Sequence, residues 1–198
     1  KTQPVEKILE AYEAGQRLFG ENKIQELTAK YESLPNDIEW HMIGHVQSNK
    51  VKYMAPFVHL IHSVDSLKLL AEIDRQAKKV NRTISCLLQI HIATEETKFG
   101  FSESEVLETL QSDQFKSLAN VRILGLMGMA TLTDDQAQIR KEFKSLKTLF
   151  EKIKSFQIPN VAMQQLSMGM SSDYQIAIEE GSTFIRVGTA IFGERNYP

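Results

Sequence analysis

Seven short apolar runs, each separated from the next by a stretch of helical periodicity, restrict this chain to one class of architecture. The runs cover 17–20, 38–43, 58–64, 83–92, 121–127, 161–166 and 184–187. Between them, Leu67, Leu70, Ile73 and Ala77 recur at helical spacing, and so do Ile139, Phe143, Leu146, Leu149, Phe150 and Ile153. Strict strand–helix alternation implies a parallel sheet with helical crossovers. The run 83–92 is largely apolar, as a strand covered on both faces must be. A further helix, with Val5, Ile8, Leu9 and Tyr12 on one face, Thr2 as its cap and Pro4 in its first turn, precedes the first run. One strand ahead of Lys1 would complete eight units, the pattern of a (β/α)8 or TIM barrel, typically about 250 residues. The expectation is therefore a single α/β domain over 1–198, a barrel lacking its first strand. An open doubly wound sheet is the rival.

The sequence also excludes several classes of function. A net charge of −2 provides no field for nucleic acid or an anionic membrane surface. No run approaches the ~18 apolar residues of a membrane helix. Cys86 is the only cysteine, so an internal disulfide is impossible, which suits a cytoplasmic setting. Its neighbours Ile84, Leu87 and Leu88 mark it as a buried strand thiol. No Walker loop, GxGxxG turn or Ser-His-Asp order occurs. His41 and His45 flank a strand end, but without a carboxylate cluster they do not suggest a metal site.

Two turns concentrate the remaining chemistry. Ser167-Met168-Gly169-Met170-Ser171 follows the sixth run, and Gly188-Thr189 follows the seventh. Such barrels often hold phosphate after their last two strands, which favours the barrel over the open sheet. Arg186 sits in the last apolar run, where an arginine without a task is costly. It could pair with a carboxylate at the barrel end or face a ligand. Asn22 follows the first run and shares the rim, as a ligand contact or a helix cap. Lys98 lies in a rim loop, and Met127, Met129, Met163, Met168 and Met170 suit packing. Lys1, at the end of the inferred preceding strand, would open onto the same rim. A desolvated lysine can condense with an aldehyde, and a phosphate site facing it suggests pyridoxal 5'-phosphate.

These segments resemble a known family. Gly20-Glu21-Asn22, the run from Trp40 to Lys50, Leu166 to Ser171, and Arg186 to Gly193 look like the pyridoxal phosphate homeostasis proteins, in order along the whole chain. The resemblance implies the barrel of the alanine racemase N-terminal domain without that enzyme's β-rich second domain. It implies that Lys1, in Lys1-Thr2-Gln3-Pro4, carries the cofactor as an aldimine, that Asn22 contacts it, that Ser167, Gly188 and Thr189 hold its phosphate, and that Arg186 faces its ring nitrogen. Departures are small: Lys23 and Ile24 stand where the family often has Tyr-Val, and Ser172 where an aspartate is common.

A cation at the ring nitrogen disfavours its protonation and so weakens the ring as an electron sink. The implied role is a monomeric, cytoplasmic, non-catalytic carrier that buffers the cofactor and passes it to dependent enzymes. A weak amino-acid racemase is the alternative, and a barrel enzyme acting on a sugar phosphate is the third reading.

Overall fold

A computed structural model describes residues 3–94 and 99–193 of the chain. All seven expected strands form: β1 (Leu18–Glu21), β2 (Glu39–Met42), β3 (Leu60–Val64), β4 (Ile84–Ile90), β5 (Val121–Gly128), β6 (Val161–Met170) and β7 (Phe184–Arg186). They make one sheet in the order β1-β2-β3-β4-β5-β6-β7, every pair parallel. Sequential order separates the barrel from the doubly wound alternative, whose strand order reverses at a switch point.

The sheet curls until its far strands meet. Strands lie about 4.8 Å apart, so in a flat sheet β3 and β6 would be separated by roughly 14 Å. Yet His62 Nδ1 of β3 is 2.9 Å from Ser167 Oγ of β6. The rings of His41 on β2 and Phe184 on β7 meet edge to face at 5.6 Å. Leu60, Leu87 and Met127 fill the interior with Leu124, Met129 and Phe184. The opposite strand faces, with Trp40, Met42, Ile61, Cys86, Leu88, Leu126, Leu166 and Met168, pack outward into the larger core.

The helices covering that outer face are α1 (Val5–Glu13), α2 (Ile24–Ser33), α3 (Val51–Met54), α4 (Leu67–Lys79), α5 (Glu103–Gln111), α6 (Asp113–Lys116), α7 (Gln136–Lys154), α8 (Tyr174–Glu179) and α9 (Thr189–Phe192). On α7, Ile139, Phe143, Leu146, Leu149, Phe150 and Ile153 are all buried, each stabilising by about 1.5–3 kcal/mol relative to exposure. Its start is set by Asp135, whose carboxylate accepts from the N–H groups of Ala137 and Gln138. Two expectations shift. Pro4 stands at the cap position of α1 rather than inside its first turn, and Thr2 lies outside the described residues. The short helices α6 and α9 were not anticipated, because one turn is too short to display an apolar period.

Ser102 and Glu105 form a reciprocal capping box at the start of α5. Replacing Ser102 by alanine leaves the Glu105 N–H without its acceptor, and should cost ~1 kcal/mol of stability in urea denaturation.

Candidate functional site

The C-terminal ends of the strands bring Asn22, Gly188 and Thr189 to one rim, with Ser171 beside them. Asn22 follows β1, Ser171 follows β6, and Gly188 and Thr189 follow β7. At the end of β7 the backbone N–H groups of Gly188 and Ala190 both point at Ser171 Oγ, at 3.3 and 3.4 Å. A Cβ built on Gly188 would meet nothing within 4 Å. The glycine therefore leaves open space beside converging N–H donors and a hydroxyl, the chemistry of an anion cradle. In the sequence Ser171 is the last residue of the serine- and glycine-containing turn after the sixth run. Its place on the rim follows from the ten-residue length of β6, which the sequence pattern cut short at Leu166.

Ser167 is in a different position. It is wholly buried inside the barrel, where its Oγ accepts from Arg186 Nη1 at 2.6 Å and meets His62 Nδ1. Arg186 Nη2 donates to the Gly128 carbonyl at 3.0 Å. The arginine's direct bonds thus go to a hydroxyl and a carbonyl. Burial pushes its pKa down to about 10, with the Asp173 charge opposing the shift, and at neutral pH it remains a fixed cation beneath the rim.

The barrel interior below Arg186 holds a pair of histidines. His62 Nε2 lies 3.0 Å from His41 Nδ1. Burial holds His62 well below the ordinary histidine range, and the His41 and Arg186 charges add to the effect. His41 is lowered to about 4, first by burial and then by His59. Both rings are therefore neutral at pH 7, whereas Arg186 stays charged, with Asp173 as its nearby counter-charge. His62 was missed in the sequence, although the period-2 phase of β3, with Leu60 inward, gives it an inward position.

His41, within β2, and His45, beyond its end, have separate surroundings. His45 bonds Asp65 at 3.0 Å and stacks on Phe99 at the rim, whereas His41 points into the barrel. Cys86 is fully buried, and burial raises its thiol pKa, in keeping with an inert strand cysteine. Met127, Met163 and Met168 are core residues. Lys1 and Lys98 lie outside the described residues. Lys7, early in α1, donates to the Phe192 carbonyl at the end of α9, so the first turn of α1 reaches the C-terminal end of α9. Among the described residues no helix is long and apolar enough to cross a membrane.

Residues 3–196 match the family model of the alanine racemase N-terminal domain. The pyridoxal phosphate homeostasis protein of Aquifex aeolicus is 42% identical over 198 residues, covering 100% of this chain and 85% of that protein. The structure of PipY from Synechococcus elongatus without PLP superposes with a TM-score of 0.90 at 39% identity, covering 97% of this chain and 89% of that one. The same protein with PLP bound superposes with a TM-score of 0.87 at 39% identity, covering 98% and 89%.

Proposed function

We propose that this chain, which belongs to the pyridoxal phosphate homeostasis protein family, binds pyridoxal 5'-phosphate on the C-terminal rim of its barrel and serves in the homeostasis of that cofactor. The observation that carries the reading is the cradle after β7: open space over Gly188, flanked by the Gly188 and Ala190 N–H groups and Ser171 Oγ. A phosphate monoester fits that donor set. Thr189, one residue on, adds a hydroxyl at the same turn. When bound, the cofactor supplies an aldehyde carbon that exchanges between amines. In this reading Lys1 is the amine, and its assignment draws support from the start of α1 lying beside α9.

The remaining residues orient the ligand. Asn22 offers an amide at the end of β1. Arg186, held by Ser167 and the Gly128 carbonyl, places a fixed cation on the ring side of the cradle. A cation there keeps a pyridine nitrogen unprotonated and so limits electron withdrawal from the substrate. That suits storage and release of the cofactor to dependent enzymes more than vigorous carbanion chemistry. The relatives' names, which speak of homeostasis, support the same view.

The test is covalent trapping. After addition of pyridoxal 5'-phosphate, borohydride reduction and peptide mass mapping should locate one pyridoxyl group on Lys1, and Lys1→Ala should lose it. Labelling at another lysine with Lys1 unmodified would refute the assignment. The carrier reading further expects no useful exchange of the α-proton of any amino acid in deuterated water, and steady turnover would overturn it.

A further inference from the structure

The opposite mouth of the barrel carries a second cluster that the cofactor reading does not use. Glu39 is the first residue of β2, His41 lies two residues on, and His59 immediately precedes β3. Each offers one donor atom, and the three atoms lie within 4.8 Å of one another. The Glu39 carboxylate and His59 Nε2 are 3.4 Å apart on a half-exposed surface. Two ligands of a tetrahedral zinc ion, each about 2.0–2.1 Å from the metal, are separated by about 3.3 Å. An ordinary surface ion pair accounts for Glu39 and His59, but it does not account for His41. That residue is 5% exposed, and its Nε2 is buried with no hydrogen-bond partner among the described residues. A buried ring nitrogen without a partner calls for a specific explanation.

We propose that Glu39, His41 and His59 form a binding site for a divalent cation of the zinc class, with His41 Nε2 as the buried ligand. Two imidazoles and a carboxylate are a common three-ligand set for zinc, with water in the fourth position. Metal-ligating histidines usually commit their other ring nitrogen to a second hydrogen bond that fixes the ring. Here His41 Nδ1 meets His62 Nε2, and His62 Nδ1 meets Ser167 Oγ.

Occupancy also sets the direction of these bonds. A neutral imidazole that ligates through Nε2 carries its proton on Nδ1. His41 Nδ1–H then donates to His62 Nε2, and His62 Nδ1–H donates to Ser167 Oγ. Ser167 accepts from both His62 and Arg186, which leaves its own proton free to point elsewhere. The cation site and the interior beneath the cofactor rim are thereby joined through two rings. The cation site does not depend on the cofactor assignment.

The experiment uses the full chain, stripped with EDTA and titrated calorimetrically with Zn2+ alone. One equivalent should bind with a dissociation constant of about 1 µM or tighter. His59→Ala and Glu39→Gln, both on exposed side chains, should each weaken binding by about a hundredfold with unchanged circular dichroism, and His45→Ala should not weaken it. In the loaded protein, long-range ¹H–¹⁵N spectra should show His62 protonated on Nδ1. Absence of saturable binding, binding indifferent to His59 and Glu39, or His62 protonated on Nε2 in the loaded form would each overturn the assignment.

Discussion

Gly125→Ala should abolish the native fold. Gly125 pairs with both Leu87 and Gln165 at a point where the register shifts on each side. A Cβ there would lie 1.7 Å from the Gln165 carbonyl oxygen and 2.7 Å from its carbon. Those are backbone atoms of a neighbouring strand, so no side-chain rotation relieves the overlap. Removing a glycine restricts the unfolded chain and favours folding by only about 0.4–1 kcal/mol. Forcing two central strands apart costs far more, on the order of 4–5 kcal/mol or above, a large part of the roughly 5–15 kcal/mol that a domain has in total. The expected outcome is loss of the folded circular dichroism signal or of soluble expression. A variant whose urea midpoint stayed within the equivalent of about 1 kcal/mol of the parent would show that β5 and β6 are not packed this closely.

Gly188→Val should leave the fold intact and weaken cofactor binding. The position has nothing within 4 Å of an added Cβ, so the branched side chain meets no protein atom at its root and occupies the space next to the Gly188 and Ala190 N–H groups. An anion must approach those donors to about 2.7–2.9 Å to form charge-assisted bonds, and the valine methyl groups stand in that path. Affinity for pyridoxal 5'-phosphate should fall by on the order of a hundredfold, about 2.7 kcal/mol, read from the absorbance of the bound cofactor. Thermal stability should change little. Unaltered affinity would move the phosphate away from this turn. Together the two glycines separate the scaffold from the proposed site: one permits strands to approach, and the other leaves open space in which the proposed ligand would sit.

The helices and strands were legible because their apolar periods are long. The face of α7 from Ile139 to Ile153 and the continuous apolar run of β4 needed only the periods of 3.6 and 2. Elements of one turn, α6 and α9, carry no such period. The turns after β6 and β7 could be picked out by their Gly and Ser content, and Arg186 by its cost in an apolar strand. The motif's resemblance puts Ser167 at the phosphate, whereas the structure brings Ser171 to the Gly188 and Ala190 N–H groups. Their roles differ through the length and register of β6, which put Ser167 opposite Phe184 and inside the barrel and Ser171 beyond the strand end.

Local pattern was enough to specify seven strand–helix units and a parallel sheet, since each unit's apolar face is written in consecutive residues. It was also enough to mark the rim, since turns that expose N–H groups need small residues at known offsets. Closure of the sheet is a long-range event. It brings His62 against Ser167 across 105 residues of chain, and Arg186 against Gly128 across 58. No local period encodes those distances. Pairing of β2 with β3 assembles Glu39, His41 and His59 at the opposite mouth, and closure decides that Arg186 is a half-buried cation held by a hydroxyl and a carbonyl. Burial and hydrogen-bond partners, the quantities that set charge and donor direction, exist only once distant strands share one interior.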